Sequence, residues 1–86
     1  MIKPTVGRMV WFYKYGQTQV DANEQPMAAI IAHVWNDNMI NIAYFDSNGI
    51  AHNQTSVYLV QEGEANPPNP TAFCVWMPYQ IGQAKK

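Results

Sequence analysis

Residues 27–49, MAAIIAHVWNDNMINIAYFDSNG, decide the architecture of this chain. Two apolar runs, residues 27–35 and 39–45, are each closed by turn-forming residues, which is typical of the paired strands of a β-hairpin. Both runs are short and rich in β-branched and aromatic residues, so they predict strands rather than helices. In the first run, even-numbered positions 28–34 should share one face and odd-numbered positions 29–35 the other.

Further strands are predicted on both sides of this hairpin. They are residues 5–15, 50–52, 55–60 and 73–77, with a break at Asn53 and Gln54. Gly7 indicates a bulge or a close backbone approach, as small barrels use to curl a sheet. No segment has a helical period, so we expect an all-β fold, a small SH3-like barrel of five to six short antiparallel strands.

Two loops and a tail complete a single predicted domain of residues 1–86. Residues 16–26 lack any hydrophobic period, and loops of this length in compact domains are either functional or mobile. Residues 61–71 contain three prolines, which exclude both a helix and a central strand. Residues 79–86 are expected to be a fraying tail.

The size of the chain favours oligomerisation. A chain of 86 residues buries only about 60–65% of its unfolded surface, and small domains often add disulfides, a metal or a partner subunit. Cys74 is the only cysteine, and His33 and His52 are well separated, so neither an internal disulfide nor a metal site is expected. A homo-oligomer is the remaining way to bury more surface.

The surface is predicted to be rich in amides and poor in charge. Charged residues make up 13% of the chain, the net charge is −1, and there are eight Asn and seven Gln, whereas soluble domains usually carry about 25% charged residues. Either the solvated surface has an unusual composition, or part of it is a subunit interface depleted in charge. No basic patch supports nucleic-acid binding.

No membrane contact is expected, since no run approaches the ~20 apolar residues of a membrane span. Residues 1–8 lack the apolar core and cleavage site of a signal peptide. These features predict a cytoplasmic protein.

No catalytic motif is recognisable. Neither Ser47 nor Ser56 lies in a Gly-x-Ser-x-Gly elbow, and Cys74, in the middle of a strand, should be a buried and inert thiol. Asp37 and Asp46 flank opposite ends of one predicted strand, too far apart for paired acid–base work. We therefore expect no enzymatic activity and no cofactor.

Aromatic side chains exceed what so small a core can bury. Tryptophan and tyrosine on a barrel surface either stack on a flat ligand or anchor another subunit. The candidate ligand-binding or interface residues are Trp11, Tyr13, His33, Trp35, Asn36, Asp37, Tyr44, Thr55, Ser56 and Trp76. His33 and Trp35 should point the same way, with Asn36 and Asp37 at the strand tip, and form a pocket wall. The alternative places both rings in the core.

Five segments resemble a group of small proteins of tailed phages and prophages, most of them hypothetical. The segments are 4–8 (PTVGR), 28–32 (AAIIA) leading to 34–35 (VW), 41–49 (NIAYFDSNG), 55–57 (TSV) and 76–78 (WMP). The resemblance implies a phage origin and a small all-β fold, and it carries over no site residue. Residues 55–60 are also similar to the short SH3-like dihydrofolate reductases of plasmids, which work from a pore at the centre of a tetramer.

Three functions are compatible with these features. The expected one is a non-enzymatic, oligomeric phage accessory protein. It would bind a host protein or a small nucleotide-like ligand between subunits, and so counter host defence in the cytoplasm of an infected bacterium. The second is an oligomeric enzyme with its site on a symmetry axis. The third is a virion or structural accessory protein.

Overall fold

Five strands form a closed barrel, followed by one short helix, in the computed structural model, which describes residues 1–14, 25–68 and 71–84. The elements are β1 (Met9–Tyr13), β2 (Met27–Asn36), β3 (Met39–Phe45), β4 (Ala51–Val60), β5 (Phe73–Val75) and α1 (Pro78–Ala84). The prediction of a small all-β, SH3-like barrel is confirmed. Most of the predicted loop 16–26 lies outside the described residues.

The barrel interior contains the apolar residues that alternate along the strands. In β1 these are Val10 and Phe12, and in β3 they are Ile40, Ile42 and Tyr44. A two-residue period places every second side chain on the same face of a strand. The remaining buried core residues are Ala29, Ile31, Val57, Leu59, Phe73, Cys74 and Trp76.

Strand β5 closes the barrel by pairing with two partners. It runs antiparallel to β1 but parallel to β4, so the prediction of purely antiparallel pairing is wrong at this one contact. Parallel neighbours need a crossover connection of about a dozen residues, and residues 61–72 supply it. Residues 61–68 and 71, within the predicted proline-rich loop, contain neither strand nor helix.

The first strand is shorter than predicted because residues 5–8 form a turn. Gly7 has a φ of +95°, its N–H donates to the carbonyl of Ile31 at 2.8 Å, and the Ile31 N–H donates to Arg8 at 2.9 Å. Glycine adopts positive φ without steric cost. The close backbone approach expected at Gly7 is therefore confirmed, as a contact with β2.

The predicted fraying tail is wrong for residues 79–84, which belong to α1. Pro78 opens the helix, a position where the missing N–H costs no bond. The backbone N–H of Met77 donates to the Gln80 side chain at 2.9 Å, and Ile81 packs against the core. One apolar anchor in seven residues is too little to show a helical period. No helix in the described part of the chain is long and apolar enough to cross a membrane.

The buried side chain of Gln61 connects three separate parts of the chain. Its Nε2 donates to the carbonyls of Ile2 and Asp37, each at 2.9 Å, and its Oε1 accepts from the Ile2 N–H and the Trp76 indole, each at 3.1 Å. Gln61 is 3% exposed. A buried amide is tolerated when its hydrogen bonds are made, and here they hold the N-terminal segment and the β2–β3 turn against the barrel.

Asp46 organises the turn between β3 and β4. Its Oδ1 accepts from the backbone N–H groups of Asn48 and Ile50 at 2.9 and 3.0 Å, and its Oδ2 lies 2.8 Å from His52 Nε2. Gly49 has a φ of +80°, as the Asn-Gly signal predicts. The bond to His52, followed by the backbone bond from Ile50, lowers the pKa of the Asp46 carboxyl below its ordinary value.

A lowered pKa in the folded state makes this turn sensitive to acid. The stability that the carboxylate contributes is present above the ordinary aspartate pKa and is lost as the pH falls through the lower folded value. We expect the melting temperature of wild type to exceed that of Asp46→Asn near neutral pH, and the gap to shrink at about pH 3. Thermal unfolding of both proteins across this range checks it, and a gap that is independent of pH would contradict it.

Candidate functional site

The outer face of β2, β3 and β4 is distorted where three register shifts meet. Two of the shifts interrupt the pairing of β2 with β3, between Ile31 and His33 and between Val34 and Asn36. The third interrupts the pairing of β3 with β4, where two residues of β4 lie opposite Asn41. The first shift makes Ala32 an extra residue, so the alternation of faces reverses there. Ile31 and Val34 face the core, while His33 and Trp35 lie outside. The predicted odd and even faces are therefore wrong beyond Ala32.

Trp35 is held in place although 59% of it is exposed. Its indole N–H donates to Asn41 Oδ1 at 3.0 Å, and its ring meets His33 edge-on with centroids 4.5 Å apart. The same Asn41 oxygen accepts the backbone N–H of Ser56 at 2.7 Å. We call His33, Trp35, Asn41 and Ser56 the Trp35 surface. It joins three strands through one amide oxygen.

Ser56 adopts a strained backbone conformation in this cluster. Its φ is +54°, and it is the only non-glycine residue with positive φ in the described parts of the chain. Such conformations cost of order 1–3 kcal/mol for residues other than glycine and concentrate at functional sites. In this conformation the Ser56 N–H points toward Asn41 Oδ1, the same oxygen that accepts the Trp35 indole N–H.

Ser56→Gly should relieve the strain and leave the fold stable or stabilise it by up to about 1 kcal/mol, since glycine accepts positive φ. The neighbouring exposed Thr55 has no positive φ, so Thr55→Gly is the matched control and should lose about 0.5–1 kcal/mol. Urea unfolding measures both. Equal destabilisation by the two glycines would show that Ser56 is unstrained.

The structure separates the predicted site residues into three groups. His33, Trp35, Thr55 and Ser56 lie together on the outer face, and both Asn36, the last residue of β2, and Asp37, in the adjoining turn, are exposed. The Asn36 side chain accepts the Asn38 N–H at 2.8 Å, so its carboxamide oxygen shapes the turn. Both side chains lie outside the core, so the core alternative is wrong for His33 and Trp35, and the pocket wall stays a prediction.

Four predicted aromatic residues lie elsewhere. Tyr44 of β3 and Trp76, which directly follows β5, are buried in the core. Trp11 and Tyr13 are half-buried on β1, which is not adjacent to β3, and Tyr13 stacks on Phe73 with centroids 5.2 Å apart. Four of the aromatic residues predicted to lie at a surface site are therefore buried or half-buried in the barrel.

Sequence reasoning missed Asn41 as a site residue. It is a polar residue at an outward position of the otherwise apolar strand β3 (MINIAYF). That isolated amide was a usable signal, but its partners come from β2 and β4 and depend on the register shifts.

The outer face of β2, β3 and β4 carries no charged side chains from these strands, which favours contact with an uncharged surface or ring. None of the residues in β2, β3 or β4 is Asp, Glu, Lys or Arg. Tyr58 of β4, 48% exposed, and Met39 form the next cross-strand pair along the face. An indole face, an imidazole and amide or hydroxyl groups can stack on a planar ligand and donate or accept hydrogen bonds.

The two other potentially reactive side chains, Cys74 and His52, make contacts that have structural roles. Cys74 is buried as expected, and burial raises the pKa of its thiol, which keeps the thiol unreactive. His52 stacks on Tyr44 with centroids 5.2 Å apart and pairs with the turn residue Asp46. Within the described residues, no group of three or more His, Cys, Asp or Glu is placed to hold a metal ion.

Comparison with known proteins identifies no relative. No protein-family model, curated protein or solved structure matches the chain. The function is therefore inferred from the Trp35 surface.

Proposed function

We propose that this protein is a non-enzymatic binding protein that self-associates and recognises its ligand with the Trp35 surface. The observation that carries the proposal is the exposed Trp35 ring fixed by Asn41, whose oxygen also holds the strained Ser56. A surface that is ordered before binding loses less conformational entropy when it binds. On this proposal, the strained backbone of Ser56 serves ligand recognition, although it lowers the stability of the fold.

The uncharged outer face supports self-association. Interface cores are depleted in charged residues and enriched in aromatic residues and methionine, and β2, β3 and β4 combine no charge with exposed Trp35 and Tyr58 and partly exposed Met39. A second copy of the same face meets no like-charge repulsion. We infer a homo-oligomer in which this face lies at or beside the contact.

A small ligand with a planar heterocycle suits the Trp35 surface best. The indole N–H is already bonded to Asn41, so the ring face is the part left for contact, and stacking of a base on an aromatic side chain contributes about 1–3 kcal/mol. The His33 ring lies beside it as a hydrogen-bonding group, and Ser56 is joined to Trp35 through the shared oxygen of Asn41. The ligand class is a nucleotide-like molecule held between subunits.

The resemblance to small phage proteins supports a biological setting for this binding. A phage accessory protein that sequesters a host signal or binds a host protein would counter host defence without catalysing a reaction. This setting predicts action in the cytoplasm of the infected bacterium.

Native mass spectrometry of the purified protein tests the proposal. We expect an oligomer that retains a small molecule in fixed stoichiometry, released unchanged on denaturation. Trp35→Ala should keep the fold, because the ring is mostly exposed, but lose the ligand and weaken assembly. Ile50→Ala, which removes an exposed apolar side chain from the turn between β3 and β4, is the matched control.

Two outcomes would overturn the proposal. A wild-type monomer with nothing bound would exclude self-association through this face. A ligand that is chemically changed on incubation with the protein would replace the binding role with an enzymatic one.

A further inference from the structure

A second surface feature lies on another side of the barrel, between β1 and α1. It is an open groove of about 510 Å³ with apolar lining from Ile2, Met9 and Met77. Small-molecule sites typically measure about 300–1,000 Å³ and combine apolar walls with a few polar groups. The groove has the volume and the lining for such a ligand.

The walls of the groove are held together by one glutamine. Gln80 Oε1 accepts the Met77 N–H at 2.9 Å, and Gln80 Nε2 donates to the carbonyl of Met9 at 3.0 Å. These bonds tie the start of α1 to β1. The cleft between the two elements is therefore a fixed part of the fold.

Among the described residues, Arg8 is the only charged one that lines the groove. Its guanidinium carbon lies 5.5 Å from the centroid of the buried Trp76 ring, a distance at which a cation is attracted to the ring face. Arg8 forms no ion pair with any residue of the described ranges 1–14, 25–68 and 71–84. Its charge is thus positioned at the groove without a carboxylate partner from those ranges.

We propose that this groove binds a small amphipathic carboxylate, with the anionic group on Arg8 and an apolar or aromatic body over Met9 and Met77. A guanidinium offers paired N–H donors that match the two oxygens of a carboxylate. The methionine side chains adapt to the shape of an apolar group. Tyr79, 65% exposed, supplies an aromatic ring at the rim.

Charge complementarity selects an anion over a neutral ligand. No acidic side chain from the described part of the chain lines the groove, and the chain as a whole carries a net charge of −1. Nonspecific attraction therefore does not draw anions to the protein. Binding of a carboxylate would be local to Arg8 and would weaken with added salt, because the site is open to water.

Titration of the ¹⁵N-labelled protein with 4-phenylbutyrate and, separately, its neutral amide tests this site by NMR. We expect the carboxylate to shift the backbone amide signals of Met9, Met77 and Tyr79 in a saturable way and to bind about fivefold more tightly than the amide. Arg8→Gln should reduce the affinity for the carboxylate to that for the amide. Lys14→Gln, which removes one positive charge outside the groove, should leave both affinities unchanged.

Arg8→Lys separates the charge from the geometry of the guanidinium and should show an intermediate affinity. Circular dichroism of each variant reports whether the barrel is intact, and Tyr79→Ala, an exposed position, provides a second loss of affinity if Arg8→Gln fails to fold. Equal affinities for acid and amide, or shifts located away from the groove, would overturn the proposal. The Trp35 surface is not involved, so this result is independent of the proposed binding role.

Discussion

Trp76→Ala is expected to destabilise the barrel by about 3–5 kcal/mol, a large share of its total stability. Trp76 is 2% exposed and packs in the core cluster, and its indole N–H donates to Gln61 at 3.1 Å. Removing the indole leaves a cavity in the core and takes away one hydrogen-bond donor to Gln61 Oε1. Since domains of this size are stable by roughly 4–13 kcal/mol, the variant should be partly unfolded at physiological temperature.

Urea unfolding followed by far-ultraviolet circular dichroism measures this loss, with Trp35→Ala as the matched control. Both variants remove an indole, but the ring of Trp35 is mostly exposed, so its loss should cost less than about 1 kcal/mol beyond any effect of assembly. Each comparison needs equal protein concentration, because association adds to apparent stability. Similar losses in the two variants would mean that Trp35 is a core residue.

Gln61→Leu is expected to cost about 2–5 kcal/mol although it replaces a polar residue with an apolar one of similar size. The substitution leaves the Trp76 indole N–H without its acceptor and the carbonyls of Ile2 and Asp37 without their donor. Each buried polar group left unpaired costs about 1–3 kcal/mol. The melting temperature should fall by at least about 8 °C.

Thermal unfolding of Gln61→Leu and Gln83→Leu checks this result. Gln83 is exposed on α1, so its replacement should change stability by less than about 0.5 kcal/mol. Gln61→Glu adds a second test, because its buried carboxylate can accept but not donate a hydrogen bond. Its deficit relative to wild type should narrow in acid, where the protonated carboxyl regains a donor, and a deficit that widens would refute the donor role.

The two candidate sites differ in their chemistry. The Trp35 surface is uncharged and held by hydrogen bonds among three strands, whereas the groove presents one guanidinium over an apolar lining. They lie on different elements, β2–β4 in one case and β1 with α1 in the other. Under the two proposals, assembly through the first face would leave the second site accessible to a small anion.

Local pattern determined the architecture of the barrel. The two apolar runs of residues 27–45 are strands β2 and β3, the turn at Asp46 and Gly49 lies where its residue types predicted it, and Cys74 is buried. These features follow from side-chain period and turn chemistry, which depend on neighbouring residues only. The same reasoning did not find α1, whose single anchor, Ile81, is recognisable only from its contact with the core.

The site depended on tertiary structure. Sequence alone singled out His33, Trp35, Thr55 and Ser56, but it could not distinguish them from the buried Tyr44 and Trp76, because aromatic composition is the same for a core and a surface. The side of the sheet on which Trp35 lies was decided by the extra residue at Ala32, which reverses the alternation of β2. The bulge at Ala32 is set by the pairing of β2 with β3, so its position is a property of the paired sheet and not of the strand β2 itself.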